Sequence, residues 1–128
     1  MAKVFAFKGK SFEELKELSL EQFAKMITSR ERRSLLKKGL TERQKKLLEN
    51  IKKYPDKFHK TQERDLVIVP QLVGVKLGVH NGKTYVPVTV TQEMLGHRMG
   101  EFALTRGRVR HSAPGVGATR ASKHIPLK

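Results

Sequence analysis

Cysteine and tryptophan are absent from this chain, and aromatic residues are limited to two tyrosines and six phenylalanines. Without cysteine there are no disulfides, no thiolate chemistry, and none of the sulfur ligands that structural zinc prefers. With so few aromatics, most of them in apolar patterns, there is no evident stacking platform for single-stranded nucleic acid. Acidic residues are scarce as well: 12 Asp and Glu face 27 Lys and Arg, for a formal net charge of +15. A free monomer of that charge repels itself, which points to a polyanionic partner, nucleic acid first and an anionic membrane second. Membrane attachment finds little support, because no run approaches the roughly 20 apolar residues of a spanning helix. The apolar piece in MAKVFAFKGK is too short for the apolar region of a signal peptide, so the expected location is the cytoplasm.

What the chain does contain is organised around Leu66 to Arg106. Leu66 to Val69 and Val73 to Val79 both read as strands, the first stopped by Pro70. Asn81-Gly82 supplies the two left-handed positions of a type I′ turn, which predicts a hairpin between Val75/Leu77/Val79 and Tyr85/Val86/Val88/Val90. Pro87 cannot donate to a ladder, so it belongs at a sheet edge or a bulge. Charge divides along the same lines. Residues 61–104 hold four basic and four acidic residues, residues 30–60 twelve and four, and residues 105–128 six and none.

Ser11-Phe12-Glu13-Glu14, Ser19-Leu20-Glu21-Gln22 and Thr41-Glu42-Arg43-Gln44 fit the capping box that opens a helix. Leu20, Phe23, Ala24 and Ile27 share one predicted helix face, and Leu47, Leu48 and Ile51 another. Gly39 offers a left-handed cap, Pro55 a stop, and Lys57 to Gln62 a polar connector. Thr91 can cap a brief turn, after which Gly96 and Gly100 are expected to break regular structure. The expected fold is α+β: a small three-stranded sheet containing the hairpin, packed with N-terminal helices, followed by a basic extended tail. Its divisions are a helical extension over 1–29, a core over 30–104, and a glycine-rich tail over 105–128 that is expected to order only along an anionic groove.

Enzyme chemistry is hard to assemble. The five histidines are scattered, His97 and Glu101 form the one close pair in the central stretch, and the flanking glycines argue against a helical contact between them. Metal binding lacks a recognised ligand spacing, and Gly74-Val75-Lys76-Leu77-Gly78 lacks the Gly-Lys-Ser/Thr of a phosphate loop. No enzyme, cofactor, metal or small-molecule substrate is therefore expected. Phosphate and sugar contact by Lys and Arg, with shape carrying recognition, fits a folded RNA best. The alternatives are a general nucleic-acid coat protein and an RNA-directed enzyme using His97 and Glu101.

The motif Asn81-Gly82-Lys83, Val90, Leu95-Gly96, Met99-Gly100-Glu101-Phe102 and Thr105, at its particular spacing, resembles the small-subunit ribosomal protein family numbered nineteen in bacteria and fifteen in eukaryotes. Val69-Pro70, Val73-Gly74, His97, Thr105-Arg106, His111 and, upstream, Arg33-Ser34-Leu35 with Lys37-Lys38-Gly39 extend the resemblance over roughly residues 30–111. Residues 1–29 and the tail look like the archaeal and eukaryotic branch. The resemblance implies a structural constituent of the small-subunit head that binds ribosomal RNA and the neighbouring protein numbered thirteen. It also implies a tail near the decoding region and the transfer-RNA path. The RNA-contacting candidates are Arg32, Arg33, Lys37 and Lys38; Arg43, Lys45, Lys46, Lys52 and Lys53; Arg64 and Lys83; and His97, Arg98, Thr105, Arg106, Arg108, Arg110, His111, Arg120 and Lys123.

Overall fold

All three capping boxes form in the structure, a computed structural model that describes residues 5–110. Ser11, Ser19 and Thr41 each accept from the amide three residues on, and Glu14, Gln22 and Gln44 accept from the cap amides in return. The first two boxes open α1 (Phe12–Glu17) and α2 (Leu20–Met26). A third short helix, α3 (Ser29–Arg33), continues into one π turn, Ser34–Lys38, that ends at Gly39 with φ +68°. The Thr41 box opens α4 (Glu42–Lys53).

The sheet has three strands, as expected, but one of them is different. β1 is His59–Thr61, inside the stretch read as a polar connector; β2 is Lys76–His80 and β3 is Tyr85–Thr89. β1 pairs parallel with β2, and β2 antiparallel with β3, so β2 is central. β1 escapes notice in the sequence because it is short and polar. Its His59 and Thr61 point inward and are satisfied locally: the His59 ring donates from Nε2 to the Tyr54 carbonyl at 2.8 Å, and Thr61 Oγ1 accepts from the Glu63 amide at 3.0 Å.

The segment 66–69, read as a strand, instead makes one isolated bridge, Val67 with Arg98. Its backbone still pairs with the chain after Leu95: Gly96 donates to Ile68 at 3.1 Å, Ile68 to His97 at 2.8 Å, and Met99 to Leu66 at 3.0 Å. The partner chain runs between two 3₁₀ turns, Gln92–Met94 and Met99–Phe102, so no longer ladder can grow. Leu66, Val67, Ile68 and Val69 are all buried, which explains the unbroken apolar run.

The hairpin is present, with a wider turn than the type I′ expectation. His80 pairs with Tyr85, leaving four loop residues, and only Gly82 takes a positive φ, +100°. The Asn81 side chain does the bonding itself: its Oδ1 accepts from Lys83 at 3.0 Å and Thr84 at 2.8 Å, so Asn81 has no need of the left-handed region. Pro87 lies on edge strand β3. Thr91 precedes its turn without a side-chain cap, and Gly100 lies within the Met99–Phe102 turn instead of breaking it.

Leu15, Phe23 and Ile27 join Leu47, Ile51, Leu66, Ile68, Leu77, Val79, Val90 and Met99 in one core cluster. Each such side chain contributes about 1.5–3 kcal/mol on full burial, so residues 12–27 are integral to the core. Leu20, at the start of α2, remains exposed. One polar clamp spans the sheet and the chain after it. The Arg64 guanidinium donates to the carbonyls of His80 at 2.6 Å, Gly100 at 2.7 Å and Ala103 at 2.7 Å. A Cβ at Gly100 would come within 3.0 Å of Arg64 Cβ and 3.1 Å of its carbonyl oxygen, so glycine permits this approach.

Hydrogen bonds from a charged donor contribute about 1.5–3 kcal/mol each, non-additively, and orphaned buried carbonyls cost more. Arg64→Ala should therefore lower the unfolding free energy in urea by about 2–4 kcal/mol. Arg64→Lys should recover less than half of that loss, because a single ammonium cannot span three carbonyls.

Candidate nucleic-acid interface

Helix α3 and the π turn after it gather cations on one side of the fold. Arg30, Arg33, Lys37 and Lys38 are exposed and, with Ser34, Asp65 and Arg98, line an open cleft of about 550 Å³. Arg98 forms its floor, with a side chain 13% exposed. It donates to Ser34 Oγ at 2.8 Å, to Glu31 Oε1 at 3.4 Å and to the Asp65 carbonyl at 3.3 Å. Glu31 also accepts from the Thr28 hydroxyl, so the acid beneath the cleft has partners on two sides. The cleft is strongly cationic, and its shape is held by a buried Arg–Glu link between α3 and the chain after Leu95.

Arg32 turns the other way. It donates from Nε to the Ala24 carbonyl at 3.1 Å and from Nη2 to those of Lys25 at 2.9 Å and Ile27 at 3.3 Å. These are unpaired carbonyls at the end of α2, where a cation also favours the helix dipole. Arg64 is engaged in the clamp described above. Three of the candidate arginines, Arg32, Arg64 and Arg98, thus have structural partners within the chain.

A second cleft, of about 470 Å³, opens between α4 and the sheet, lined by Arg43, Lys46 and Asn50 of the helix, by Lys60 and Thr61 of β1, and by Tyr85 of β3. Spacings of three and four residues put Arg43, Lys46 and Asn50 on one face of α4. Lys45, Lys52 and Lys53 are exposed elsewhere on that helix, and Lys83 at the hairpin tip. Thr105, Arg106, Arg108 and Arg110 are exposed on chain without helix or strand. His111, Arg120 and Lys123 lie outside the described residues.

His97 and Glu101 do meet, contrary to expectation: His97 Nδ1 lies 2.7 Å from Glu101 Oε2. The intervening chain is a 3₁₀ turn, tolerant of Gly100, and it brings the two side chains together on the surface, both about half exposed. The His97 ring also stands edge-on to Phe102, with centroids 6.1 Å apart. Among the described residues no group of three or more His, Asp or Glu is placed to hold a metal ion, and no helix there is long and apolar enough to cross a membrane. Sequence reasoning left Arg30, Asn50, Lys60 and Tyr85 out of the candidate list. The first adjoins the recognised basic run and Asn50 shares the α4 face of Arg43 and Lys46, while Lys60 and Tyr85 join those two only once β1 pairs with β2 and α4 packs beside it.

A small α+β core whose described surface carries cation-walled clefts defines a polyanion-binding protein. The family model described as Ribosomal protein S19 matches residues 32–111, and the chain belongs to that family. It is accordingly a structural protein of the small ribosomal subunit, binds ribosomal RNA there, and is not an enzyme.

Arg98→Ala removes the floor of the larger cleft and leaves Glu31 short of a partner, so it should cost about 1–3 kcal/mol of stability in urea unfolding. Lys37→Ala and Lys38→Ala, at exposed positions, should each stay within about 0.5 kcal/mol of the parent.

Proposed function

We propose that this protein is seated in the head of the small subunit, as the archaeal and eukaryotic branch of the family is expected to be, and grips a folded segment of small-subunit ribosomal RNA with the cleft between α3 and Arg98. The convergence of Arg30, Arg33, Lys37 and Lys38 over an internally paired arginine carries this reading. Four exposed cations at one concavity, with Asp65 the one acid lining it, suit a phosphate backbone better than a solvated helix face, where mixed charge signs are the rule.

In this reading Arg33, Lys37 and Lys38 contact phosphate directly, as do Arg43, Lys45, Lys46, Lys52, Lys53 and Lys83 on α4 and the hairpin. Arg32, Arg64 and Arg98 act mainly by holding the cationic surfaces in place. His97, exposed beside Arg98, and the basic run Thr105, Arg106, Arg108, Arg110, His111, Arg120 and Lys123 extend the contact along the tail. Residues 1–29 form a helical extension whose Leu15, Phe23 and Ile27 share the hydrophobic core, 30–104 the RNA-binding domain, and 105–128 an arm directed toward the decoding region and transfer RNA. The protein numbered thirteen is the proposed neighbour in the head. The tail and neighbour assignments rest on the family resemblance.

If the cationic surfaces engage about 8 phosphates, log affinity for the RNA should fall against log salt with a slope of about 6–7 over roughly 0.05–0.2 M. The double variant Lys37→Ala/Lys38→Ala should reduce that slope by about 2 while leaving urea unfolding unchanged. A flat salt dependence, or equal retention by duplex DNA and ribosomal RNA in a filter-binding competition, would overturn the proposal in favour of a general coat protein or an idle surface.

A further inference from the structure

The outward face of the sheet carries an aromatic pair beside the smaller cleft. Side chains alternate along strands, so Lys60, Gly78 and Pro87, which stand opposite one another in the ladder, face away from the buried Leu77 and Val79. The Phe58 ring lies over Gly78. A Cβ there would sit 2.6 Å from Phe58 Cζ and 2.9 Å from Cε1, so the absence of a side chain at 78 lets the ring rest on the strand. The same virtual Cβ is 3.4 Å from Tyr85 Cβ, so the Tyr85 side chain leaves the sheet beside the glycine on which Phe58 rests. Phe58 is nonetheless 43% exposed. Tyr85 is braced edge-on by His80, with centroids 4.9 Å apart, and Lys60 Nζ stands 5.4 Å from its centroid.

Tyr85 also borders the cleft of about 470 Å³, whose other wall is Arg43, Lys46 and Asn50, a volume within the range of small-ligand sites. Glu63, the one acid lining it, accepts from Gln44 Nε2 at 3.3 Å. Cations, an amide and a half-buried ring around one cleft suit a ligand that combines an anion, hydrogen-bonding edges and a π face in a single unit. A nucleotide has all three; an acidic peptide has no use for the ring.

We infer that this cleft takes one unpaired nucleotide of the ribosomal RNA, its base stacked on Tyr85 and Phe58 and its phosphate held by Arg43, Lys46 and Lys60. The inference rests on the RNA-binding reading above and adds a base-stacking contact to it. Stacking transfers no charge, so it is separable from the phosphate contacts by its indifference to salt.

The test uses the full-length chain and small-subunit ribosomal RNA carrying 4-thiouridine. Photocrosslinks should map to Tyr85 or to the peptide containing Phe58. Tyr85→Val and Phe58→Leu, each checked for parental thermal unfolding, should weaken RNA affinity about 5–100-fold with the salt slope unchanged. If one variant fails to fold, the other and the crosslink on the parent chain decide. Parental affinity in the folded variants with no crosslink at these rings overturns the inference and leaves the RNA-binding reading intact, as does crosslinking of the rings solely to another protein in assembled subunits. No RNA preference and a flat salt dependence in the parent chain overturn both.

Discussion

Arg64 joins parts of the molecule that share no continuous ladder. Its guanidinium gathers the carbonyl ending β2 and two carbonyls from the Met99–Phe102 region, and Gly100 has no side chain to stand in the way. A planar fork of donors fits three converging carbonyls as a point charge cannot. The chain after Leu95 is thereby fixed against the sheet, and Arg98 comes to lie under α3. The larger cationic cleft has its shape because that chain is held; with Arg64 removed, the floor under Arg30, Arg33, Lys37 and Lys38 would lose its support.

The positive charge is thus divided between two tasks. A minority of arginines face backbone carbonyls or a nearly buried glutamate: Arg64 and Arg98, half-buried, where solvent screening is reduced, and Arg32, which is exposed but bonded to the end of α2. Arg30, Arg33, Lys37 and Lys38 in one cleft and Arg43, Lys46 and Lys60 in another stand in solvent, where like charges repel one another. That repulsion is relieved when phosphate approaches, so the same net charge that burdens the free chain becomes a driving force for association with the RNA of the small subunit.

The fold also resolves a tension in the amino-acid composition. Few aromatics and no tryptophan argue against stacking on a nucleic acid, and along the chain Phe58 and Tyr85 look unrelated. Parallel pairing of β1 with β2 sets Lys60 beside Gly78, and the antiparallel partner brings in Tyr85. The Phe58 ring and the root of the Tyr85 side chain then meet at one glycine. A sparse set of aromatics suffices when a strand without a side chain seats them together.

Local signals in the sequence were read correctly wherever the relevant physics is local. The three capping boxes, the hairpin, the buried faces of α2 and α4 apart from the exposed Leu20 and the half-buried Leu48, and the cationic stretch from Arg30 to Lys38 all depend on residues within a few positions of one another. Family membership followed from a spaced motif in the same way. Pairing over longer distances was decided only by the tertiary structure: that three polar residues at 59–61 make a strand while the apolar 66–69 makes a single bridge. The contact of His97 with Glu101 is local, but it depends on a 3₁₀ turn that the flanking glycines concealed. The engagement of Arg64 and Arg98 with groups far along the chain belongs with the long-range pairings. Identical guanidinium groups differ only in the carbonyls and carboxylates that the fold brings to them, and those partners lie up to 67 positions away. No periodicity along the chain records a distance that only packing creates.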